Sequence, residues 1–341
     1  MSTSLKIFLG FLVLLLLGGG FFYFGYAKKK TQSGGSQPTS SPSKKTALDM
    51  NPNGPYYHEI YFAISKDGLL WEKQNKLLFD HASVPGAVIR DGIIYVYFVD
   101  MGGDAPQLSV GISKDLGQTY EKKKVEISGI ESAGAVDPHP EVLENGQIRL
   151  FYFYSTVQNM DPAKAQDKHK FYSATSKDGI EFKNPQLVYE DYEITDPDVF
   201  RTADDWRMFV SKGKKMDLLI SGDGLSFQKK ADFDWNKGSV SDTFNFNGTF
   251  RTFYCGEGIQ SAAGGDAGRL TSEEGARVSE EGKIVCDPTV IQLPDGSYLM
   301  FYKVQKNMPQ ENQGPENQPP VSQPRRWKII VNLPAAETAG R

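Results

Sequence analysis

Short apolar runs alternate with polar turns from about residue 57 to residue 304, and one turn pattern recurs. An apolar run is followed by Ser-x-Asp-(x)-Gly and then by an aromatic or apolar residue. Asp-Gly between two such runs predicts a β-hairpin, because Gly adopts positive φ at little cost and the Ser and Asp side chains can bond the turn backbone. The copies are FAISKDGLLW from Phe62, VGISKDLGQTY from Val110, SATSKDGIEF from Ser173, LLISGDGLSF from Leu218 and a degraded LTSEEGARV from Leu270.

A second repeated piece consists of a strand, a polar turn and a strongly aromatic strand. Each piece occurs five times, about 45 to 63 residues apart. Four strands per unit at a period near 50 residues are typical of propeller blades. The copies are AVIRDGIIYVYFVD, EVLENGQIRLFYFYS, DVFRTADDWRMFVSKG, TFNFNGTFRTFYCGEG and TVIQLPDGSYLMFYKV.

The repeat predicts an all-β fold, a five-bladed β-propeller with four antiparallel strands in each blade. We expect it to span residues 56–335, with a short tail at 336–341. The first hairpin, near Tyr57 to Lys73, should close the ring beside the last inner strands, near Ile284 to Val304. A further strand-like run at 325–333 either joins the closing blade or caps it.

The N-terminal segment differs in composition from the rest. Residues 7–27 are almost continuously apolar, long enough to cross a bilayer as a helix. We therefore expect a membrane anchor at 1–30, followed by a flexible Ser/Gly/Pro linker at 31–55. Three lysines after the apolar run favour a cytoplasmic domain by the positive-inside rule. The spacer is typical of exported domains, and we expect the propeller to be extracytoplasmic.

Composition narrows the function classes. The net charge is −4, so a basic surface for nucleic acid is not expected. The two cysteines, Cys255 and Cys286, have no zinc-binding spacing. They could form one disulfide in an oxidising compartment. Alternatively, they are two unpaired cysteines that are buried as small residues in strands. We expect no metal and no cofactor, and a monomer.

Carboxylates recur where the innermost strand of a blade should begin. In a propeller that strand lines the central channel, so its start lies at one mouth. Asp137, Asp196 and Asp287 stand there, each before a proline, and we place Asp242 at the same position in blade four. Like charges this close raise one another's pKa. The repetition favours a polar ligand or acid–base chemistry, although Asp-Pro is also a common way to begin a strand.

Other polar residues should reach the same face. Within the innermost strands these are His139, Glu141 and Asp198, and at the ends of the second strands Asp100, Lys212, Glu257 and Lys303. Long connections at 156–170, 258–268 and 305–325 are expected to form the rim, as long loops in compact domains often do.

The motifs resemble known families. SKDLGQTY, at 113–120, is similar to the Asp-box of sialidases and other BNR-repeat propellers. SKDGLLW and SKDGIEF, together with Asp-Pro at strand starts, resemble the five-bladed glycoside hydrolases of families 43, 32 and 68. That resemblance implies two catalytic Asp residues and a Glu acid. Asp196 resembles the second Asp and Glu257 loosely resembles the Glu, whereas blade one has Ser83 and Gly86 where the first Asp is expected.

The sequence therefore predicts a membrane-anchored, glycan-active propeller, most simply a glycoside hydrolase acting on carbohydrate. The alternative is a non-catalytic propeller that binds surface glycans or a partner protein. For catalysis we assign Asp137 and Asp196 as base or nucleophile and stabiliser, and Glu141 or Glu257 as the acid. The expected substrate-binding residues are His139, Asp198, Lys212, Asp242, Asp287 and Lys303.

Overall fold

The computed structural model describes residues 54–103, 106–130, 134–154, 168–230, 233–265 and 268–306. Within these ranges the chain is built from β-strands, with one short 3-10 turn at Pro55–Tyr57. None of the helical residues in these ranges forms a helix long and apolar enough to span a bilayer. The predicted anchor at 7–27, most of the linker, and the run at 325–333 lie outside the described residues, as do most of the connections at 156–170 and 305–325.

Five sheets, each with four antiparallel strands, form the blades of a closed ring, which confirms the predicted five-bladed propeller. Each blade begins with an innermost strand that packs against the innermost strands of both neighbouring blades. The innermost strands, from blade one to blade five, are β4 (Ala82–Arg90), β9 (Ala135–Val142), β13 (Thr195–Arg201), β17 (Ser239–Phe246) and β21 (Val285–Gln292).

Three further strands complete each blade, moving outward. The second strands are β5 (Ile93–Asp100), β10 (Ile148–Tyr154), β14 (Trp206–Lys212), β18 (Thr249–Gly256) and β22 (Tyr298–Gln305). The third strands are β6 (Gln107–Ser113), β11 (His169–Ser176), β15 (Lys215–Ser221), β19 (Gly258–Gly264) and β1 (His58–Ser65). The fourth strands are β7 (Glu121–Lys124), β12 (Glu181–Asp191), β16 (Gln228–Lys229), β20 (Thr271–Ser272) and β2 (Trp71–Lys73). Two short strands pair at the periphery, β3 (Phe79–Asp80) with β1 and β8 (Glu126–Ile127) with β12.

The ring closes in blade five, where the N-terminal β1 pairs with the C-terminal β22. The register runs from His58 opposite Gln305 to Ser65 opposite Tyr298, eight residue pairs in all. The expected closure by the first hairpin is therefore confirmed. Blade five is held together by non-covalent contacts between strands from the two ends of the propeller.

The aromatic second strands explain where the core lies. Tyr97 in blade one and Tyr152 in blade two belong to one buried cluster, and Phe151 packs near Trp206 of blade three. Hydrophobic burial therefore occurs between blades as well as within them. Each fully buried side chain of this size contributes roughly 1.5–3 kcal/mol relative to an exposed one.

Four of the five predicted turns join third to fourth strands at the periphery, as expected, whereas the degraded copy LTSEEGARV was misplaced, because its apolar run is the fourth strand of blade four. In the turn after β11, Ser176 Oγ donates to Asp178 Oδ1 at 2.8 Å, and the Gly179 amide donates to Ser176 Oγ at 2.8 Å. Arginines from the preceding blade reach these turns: Arg90 Nη1 donates to the Lys177 carbonyl at 3.0 Å. The turns therefore also join neighbouring blades. Arg149 and Arg251 make the corresponding contacts with Asp223 and Asp67.

One expectation about blade four is wrong. The segment Gly258–Gly264 is not part of a long rim connection. It is the third strand, β19, and pairs with β18 after a tight turn in which Gly256 lies opposite Gly258. The sequence GIQSAAG consists mainly of small residues, so it lacks the apolar alternation by which the other third strands are recognised.

Candidate active site at the channel mouth

Every innermost strand carries an irregularity near its start. In each blade the pairing register shifts there, and one residue adopts left-handed backbone angles with φ between 51° and 57°. Such bulges re-aim side chains, and they tend to occur beside functional sites. These five residues, here called the bulge residues, surround the channel mouth: Val84, Asp137, Asp196, Val240 and Asp287.

The bulge residues correct the predicted alignment of blade four. Val240, not Asp242, takes the position of Asp137 and Asp196. Asp242 lies two residues further on, level with Asp198 in blade three. The sequence comparison matched carboxylates, but the backbone conformation sets the register. Three bulge residues, rather than four, are therefore carboxylates.

The bulge residues and their neighbours line a small cavity of about 30 Å³ that opens to solvent. This volume holds about two water molecules but not a sugar ring. The lining residues are Val84, Pro85, Asp137, Pro138, His139, Asp196, Pro197, Val240, Ser241, Asp242, Asp287 and Pro288.

Asp137 and Asp196 form a coupled pair across the boundary between blades two and three. The Asp196 amide donates to Asp137 Oδ2 at 3.3 Å. Burial and the charge of Asp196 raise the pKa of Asp137 well above its usual range. Burial and the charge of Asp287 raise the pKa of Asp196 to about 6. Near neutral pH the pair can therefore supply one carboxyl that keeps its proton and one that can release it.

Asp287 has a different partner. Lys303 Nζ lies 2.7 Å from Asp287 Oδ2, and both side chains are largely buried. His58 lies nearby on the closing strand β1, where its Nδ1 bonds Ser83 Oγ at 2.8 Å. Burial and the charge of Lys303 lower the pKa of His58 to about 4, so the imidazole is neutral at physiological pH. The third bulge carboxylate is thus held as an ion pair beside the other two.

A second layer of polar residues lies just below the mouth. His139 Nε2 is 3.6 Å from Glu141 Oε1, and His139 Nδ1 is 4.0 Å from Asp242 Oδ1. Burial lowers the pKa of His139, but its bond to Glu141 and the charges of Asp242 and Asp198 outweigh burial and raise it to about 9. Burial and the charge of Asp198 raise the pKa of Asp242 to about 7.

Side chains of this layer also bond the next blade. Asp198 Oδ1 accepts the Thr243 amide at 2.9 Å, and its Oδ2 accepts the Ser241 and Thr243 hydroxyls, each at 2.7 Å. Asp242 Oδ2 accepts the Val290 amide at 2.9 Å. His139, Asp198 and Asp242 offer ligand atoms within 4.8 Å of one another, but most of the carboxylate oxygens already accept these bonds. We therefore interpret this layer as an internal hydrogen-bond network and assign no metal ligands to it.

Blade one departs from the pattern for a steric reason. A Cβ on Gly86 would lie 1.8 Å from the Pro138 carbonyl oxygen, so only glycine fits. In blades three and four the residue two positions after the bulge accepts an amide hydrogen from the next blade; the residue that would donate this bond to position 86 is Pro140, which has no amide hydrogen. Blades one and two therefore pack directly against each other at this position, without the carboxylate–amide hydrogen bond.

The structure brings most of the predicted residues together, but not all. Asp137, His139, Asp196, Asp242 and Asp287 line the cavity, while Asp198 and Lys303 contact residues that line it.

Glu141, Glu257 and Lys212 do not line the cavity, although Glu141 contacts His139, which does. Glu141 lies on β9 below the bulges, and Glu257 is exposed in the turn between β18 and β19. Lys212 is half-buried at the end of β14, opposite Lys215. Among the described residues that line the cavity, none is a glutamate.

Some residues at the site were not found from the sequence. His58 belongs to the first hairpin, whose repeat pattern marks only its turn. Ser211 Oγ accepts the Val240 amide at 2.8 Å, and Cys255 Sγ accepts the Asp287 amide at 3.2 Å. Cys255 and Cys286 are joined in a disulfide, which decides between the two alternatives for the cysteines. Only the position of Cys286 directly before Asp287 indicated a link to the site.

Fold and site together define the chain as a five-bladed β-propeller with carboxylates at its channel mouth. No protein-family model matches the chain, and no curated protein sequence matches it. Among solved structures it is similar to a xylan β-1,4-xylosidase from Bacillus halodurans C-125, at 12% identity and a TM-score of 0.51. That match covers 67% of this chain and 50% of the xylosidase, so the chain spans half of that protein's length.

Two further solved structures are similar. One is an endo-1,4-β-xylanase from Bacteroides thetaiotaomicron, at 14% identity and a TM-score of 0.50, with 64% of this chain and 82% of that chain covered. The other is a thermostable family-43 glycoside hydrolase, at 14% identity and a TM-score of 0.49, with 62% and 84% covered. These structural neighbours are glycoside hydrolases. At this identity the similarity establishes the fold alone.

Proposed function

We propose that this chain is a glycan-active propeller that hydrolyses glycosidic bonds with the carboxyl groups at its channel mouth. The observation that carries the proposal is the hydrogen bond from the Asp196 amide to the Asp137 carboxyl, which places two half-buried aspartates with raised pKa values side by side at the mouth. Glycoside hydrolysis needs one carboxyl that gives a proton and one that acts as base or nucleophile. The fold shared with xylan-degrading enzymes supports the same class of substrate.

In this proposal Asp137 is the acid. Its raised pKa keeps a proton available at neutral pH for the glycosidic oxygen of a sugar lying above the mouth. Asp196, whose pKa is about 6, is ionised above that pH and serves as base or nucleophile. Lys303 neutralises Asp287, so the ionised Asp196 carboxylate would supply the negative charge that stabilises an oxocarbenium-like transition state.

A substrate screen with matched variants tests this function. Purified protein is offered a panel of aryl glycosides and plant, algal and bacterial polysaccharides, and product formation is followed. Asp137→Asn and Asp196→Asn should each reduce kcat/KM by about 100-fold or more, as expected for loss of acid–base catalysis. Asp204→Asn, at an exposed site away from the mouth, should leave turnover unchanged. Equal turnover by wild type and both site variants would refute the assignment.

A non-catalytic glycan-binding propeller is the second candidate. It is favoured by blade one, where valine takes the bulge position and only glycine fits at position 86, and by the exposed position of Glu257. In that case the panel gives no products, but a glycan array shows saturable binding that Asp287→Asn weakens.

We further propose that the propeller works in an oxidising, extracytoplasmic compartment, tethered through residues 7–27. The Cys255–Cys286 disulfide supports this location, because disulfides persist mainly in oxidising compartments. Maleimide labelling of cells lysed in acid should modify neither cysteine until a reductant is added. Alkaline carbonate should leave the protein in the membrane fraction. Free thiols in the first experiment would contradict the location, and release into the supernatant in the second would contradict the tether.

A further inference from the structure

The Cys255–Cys286 disulfide lies directly beside a bulge carboxylate. It joins the end of β18 in blade four to the start of β21 in blade five, and Cys286 immediately precedes Asp287. The Asp287 amide donates to Cys255 Sγ at 3.2 Å. The disulfide therefore holds Asp287 in two ways, through the neighbouring peptide and through a bond to its amide.

In blade four the amide of the bulge residue is bound by a side chain that is not part of a disulfide. There the bulge residue Val240 donates its amide to Ser211 Oγ at 2.8 Å. Ser211 and Cys255 occupy equivalent places, since each pairs with the residue before the bulge of its own blade, Thr195 and Ser239 respectively. A serine hydroxyl thus serves in one blade where a disulfide sulfur serves in the next.

The carboxylate that the disulfide holds is central to the mouth. Asp287 is paired with Lys303, and its charge is one of the influences that raise the pKa values of Asp137 and Asp196. A displacement of Asp287 would therefore change the electrostatics of the whole pair. Asp287 also has positive φ, a conformation that a residue keeps only when its surroundings fix it.

We propose that the Cys255–Cys286 disulfide is a redox-sensitive clamp that holds Asp287 at the channel mouth, and that reduction by an external dithiol releases this carboxylate. Cys255 is partly exposed and is the sulfur that we assign as the point of attack. The dithiol attacks Cys255 Sγ, the S–S bond breaks, and Cys286 leaves as a thiolate that takes up a proton. The second thiol of the dithiol then displaces Cys255. Two electrons and two protons pass to the cysteines, and the dithiol becomes a disulfide.

Amide hydrogen exchange tests the clamp without any substrate. Exchange of the Asp287 and Val240 amides is followed by NMR in oxidised protein and in protein reduced with dithiothreitol, with thiols counted to confirm reduction. We expect exchange at Asp287 to become at least tenfold faster, while Val240 changes by less than twofold. Reoxidation should restore the slow rate. Unchanged exchange at Asp287 in fully reduced protein would overturn the proposal, as would equal acceleration at Val240, which would show general loosening.

Two double variants separate the covalent link from the hydrogen bond. Cys255→Ser with Cys286→Ala keeps an oxygen acceptor like Ser211, whereas Cys255→Ala with Cys286→Ala removes it. We expect the alanine pair to exchange faster at Asp287 than the serine variant, with both faster than the oxidised wild type. Oxidised-like exchange in both variants would overturn the clamp.

The effect on turnover rests on the proposed hydrolase function. If the chain is a hydrolase, reduction should lower kcat/KM and reoxidation should restore it. The exchange measurement does not depend on turnover. A chain without hydrolase activity would therefore still show the clamp, and an active chain with unchanged Asp287 exchange would refute the clamp alone.

Discussion

The Asp137 carboxylate accepts the backbone amide of Asp196 across the boundary between two blades, at 3.3 Å. The same kind of amide is accepted by Ser211 in blade three and by Cys255 in blade four. Asp137 therefore has a structural role that a serine or a sulfur can also fill. Its carboxylate, rather than its hydrogen bond, is what needs a chemical explanation.

Replacing Asp196 by Asn should change how stability depends on pH. The folded pKa of Asp196 is about 6, raised from 3.8. Between these two pKa values Asp196 is ionised in the unfolded chain but still protonated in the folded protein. The contribution of Asp196 to the free energy of unfolding therefore falls as pH rises through this window, and it stays constant above it. Asp196→Asn removes this loss, and it should be more stable than wild type at pH 7.5 by on the order of 2 kcal/mol. At pH 3.5 the difference should nearly vanish.

Urea unfolding at both pH values measures the effect. Asp204→Asn is the control for charge removal at an exposed site. Parallel pH profiles for wild type and Asp196→Asn would show that Asp196 titrates in the folded state as it does in the unfolded chain.

Removing Arg251 should destabilise blade four. Its guanidinium contacts Glu273 through Nε at 2.8 Å and Nη2 at 3.0 Å, and it lies over the Phe246 ring. Arg251→Met leaves Glu273 half-buried without its partner, and we expect a loss of about 2–4 kcal/mol. Adding Glu273→Gln should recover part of it. Lys123→Met breaks an exposed pair with Glu121 and should change stability by less than about 1 kcal/mol.

A double-mutant cycle in urea gives the coupling between Arg251 and Glu273. A double variant as unstable as the sum of both single variants would mean that the two side chains act independently.

Loss of the disulfide should reduce the free energy of unfolding, because the unfolded chain gains conformational entropy. The cysteines are 31 residues apart, and closing a loop of this length contributes about 3–4 kcal/mol in the chain-entropy model. Wild type in dithiothreitol and the variant with both cysteines changed to Ala should show the same lowered unfolding midpoint. The reductant should not affect the variant. If dithiothreitol lowered the unfolding midpoint of the variant further, the loss of stability in reduced wild type would have a cause other than the disulfide.

Glycine at position 86 should be irreplaceable. Gly86→Ala places a Cβ against the Pro138 backbone, which cannot move without shifting blade two. We expect a loss of more than about 2 kcal/mol or failure to fold. Gly222→Ala, where nothing lies within 4 Å, is the control and should be nearly neutral. Thermal unfolding compares them, and equal melting temperatures would show that the blades adjust freely.

Much of the fold follows from the sequence because the repeat is regular. The Ser-x-Asp-Gly turns and the aromatic second strands recur at a steady spacing, and both are set by local chemistry. The weak point was Gly258–Gly264, whose small side chains give no apolar alternation. Its position as a strand is decided by pairing with β18, which is a tertiary interaction.

The site was predictable in outline but not in register. Asp137, Asp196 and Asp287 were found because each precedes a proline at a strand start. Asp242 was misaligned with them because a bulge is a backbone feature that Val240 shares without any carboxylate. The contribution of His58 depends on ring closure, which brings together residues far apart in the chain, so no local pattern could reveal it.

Ring closure by β1 also has a consequence for synthesis. The strand that completes blade five is made first, and its partner β22 begins at Tyr298, more than 200 residues later. At about 5–20 residues per second, β1 waits for tens of seconds at the ribosome with an edge unpaired. An unpaired apolar edge is a template for wrong pairing between chains. Nascent β1 is therefore where we expect a chaperone to act, and slower elongation should lower the yield of closed rings.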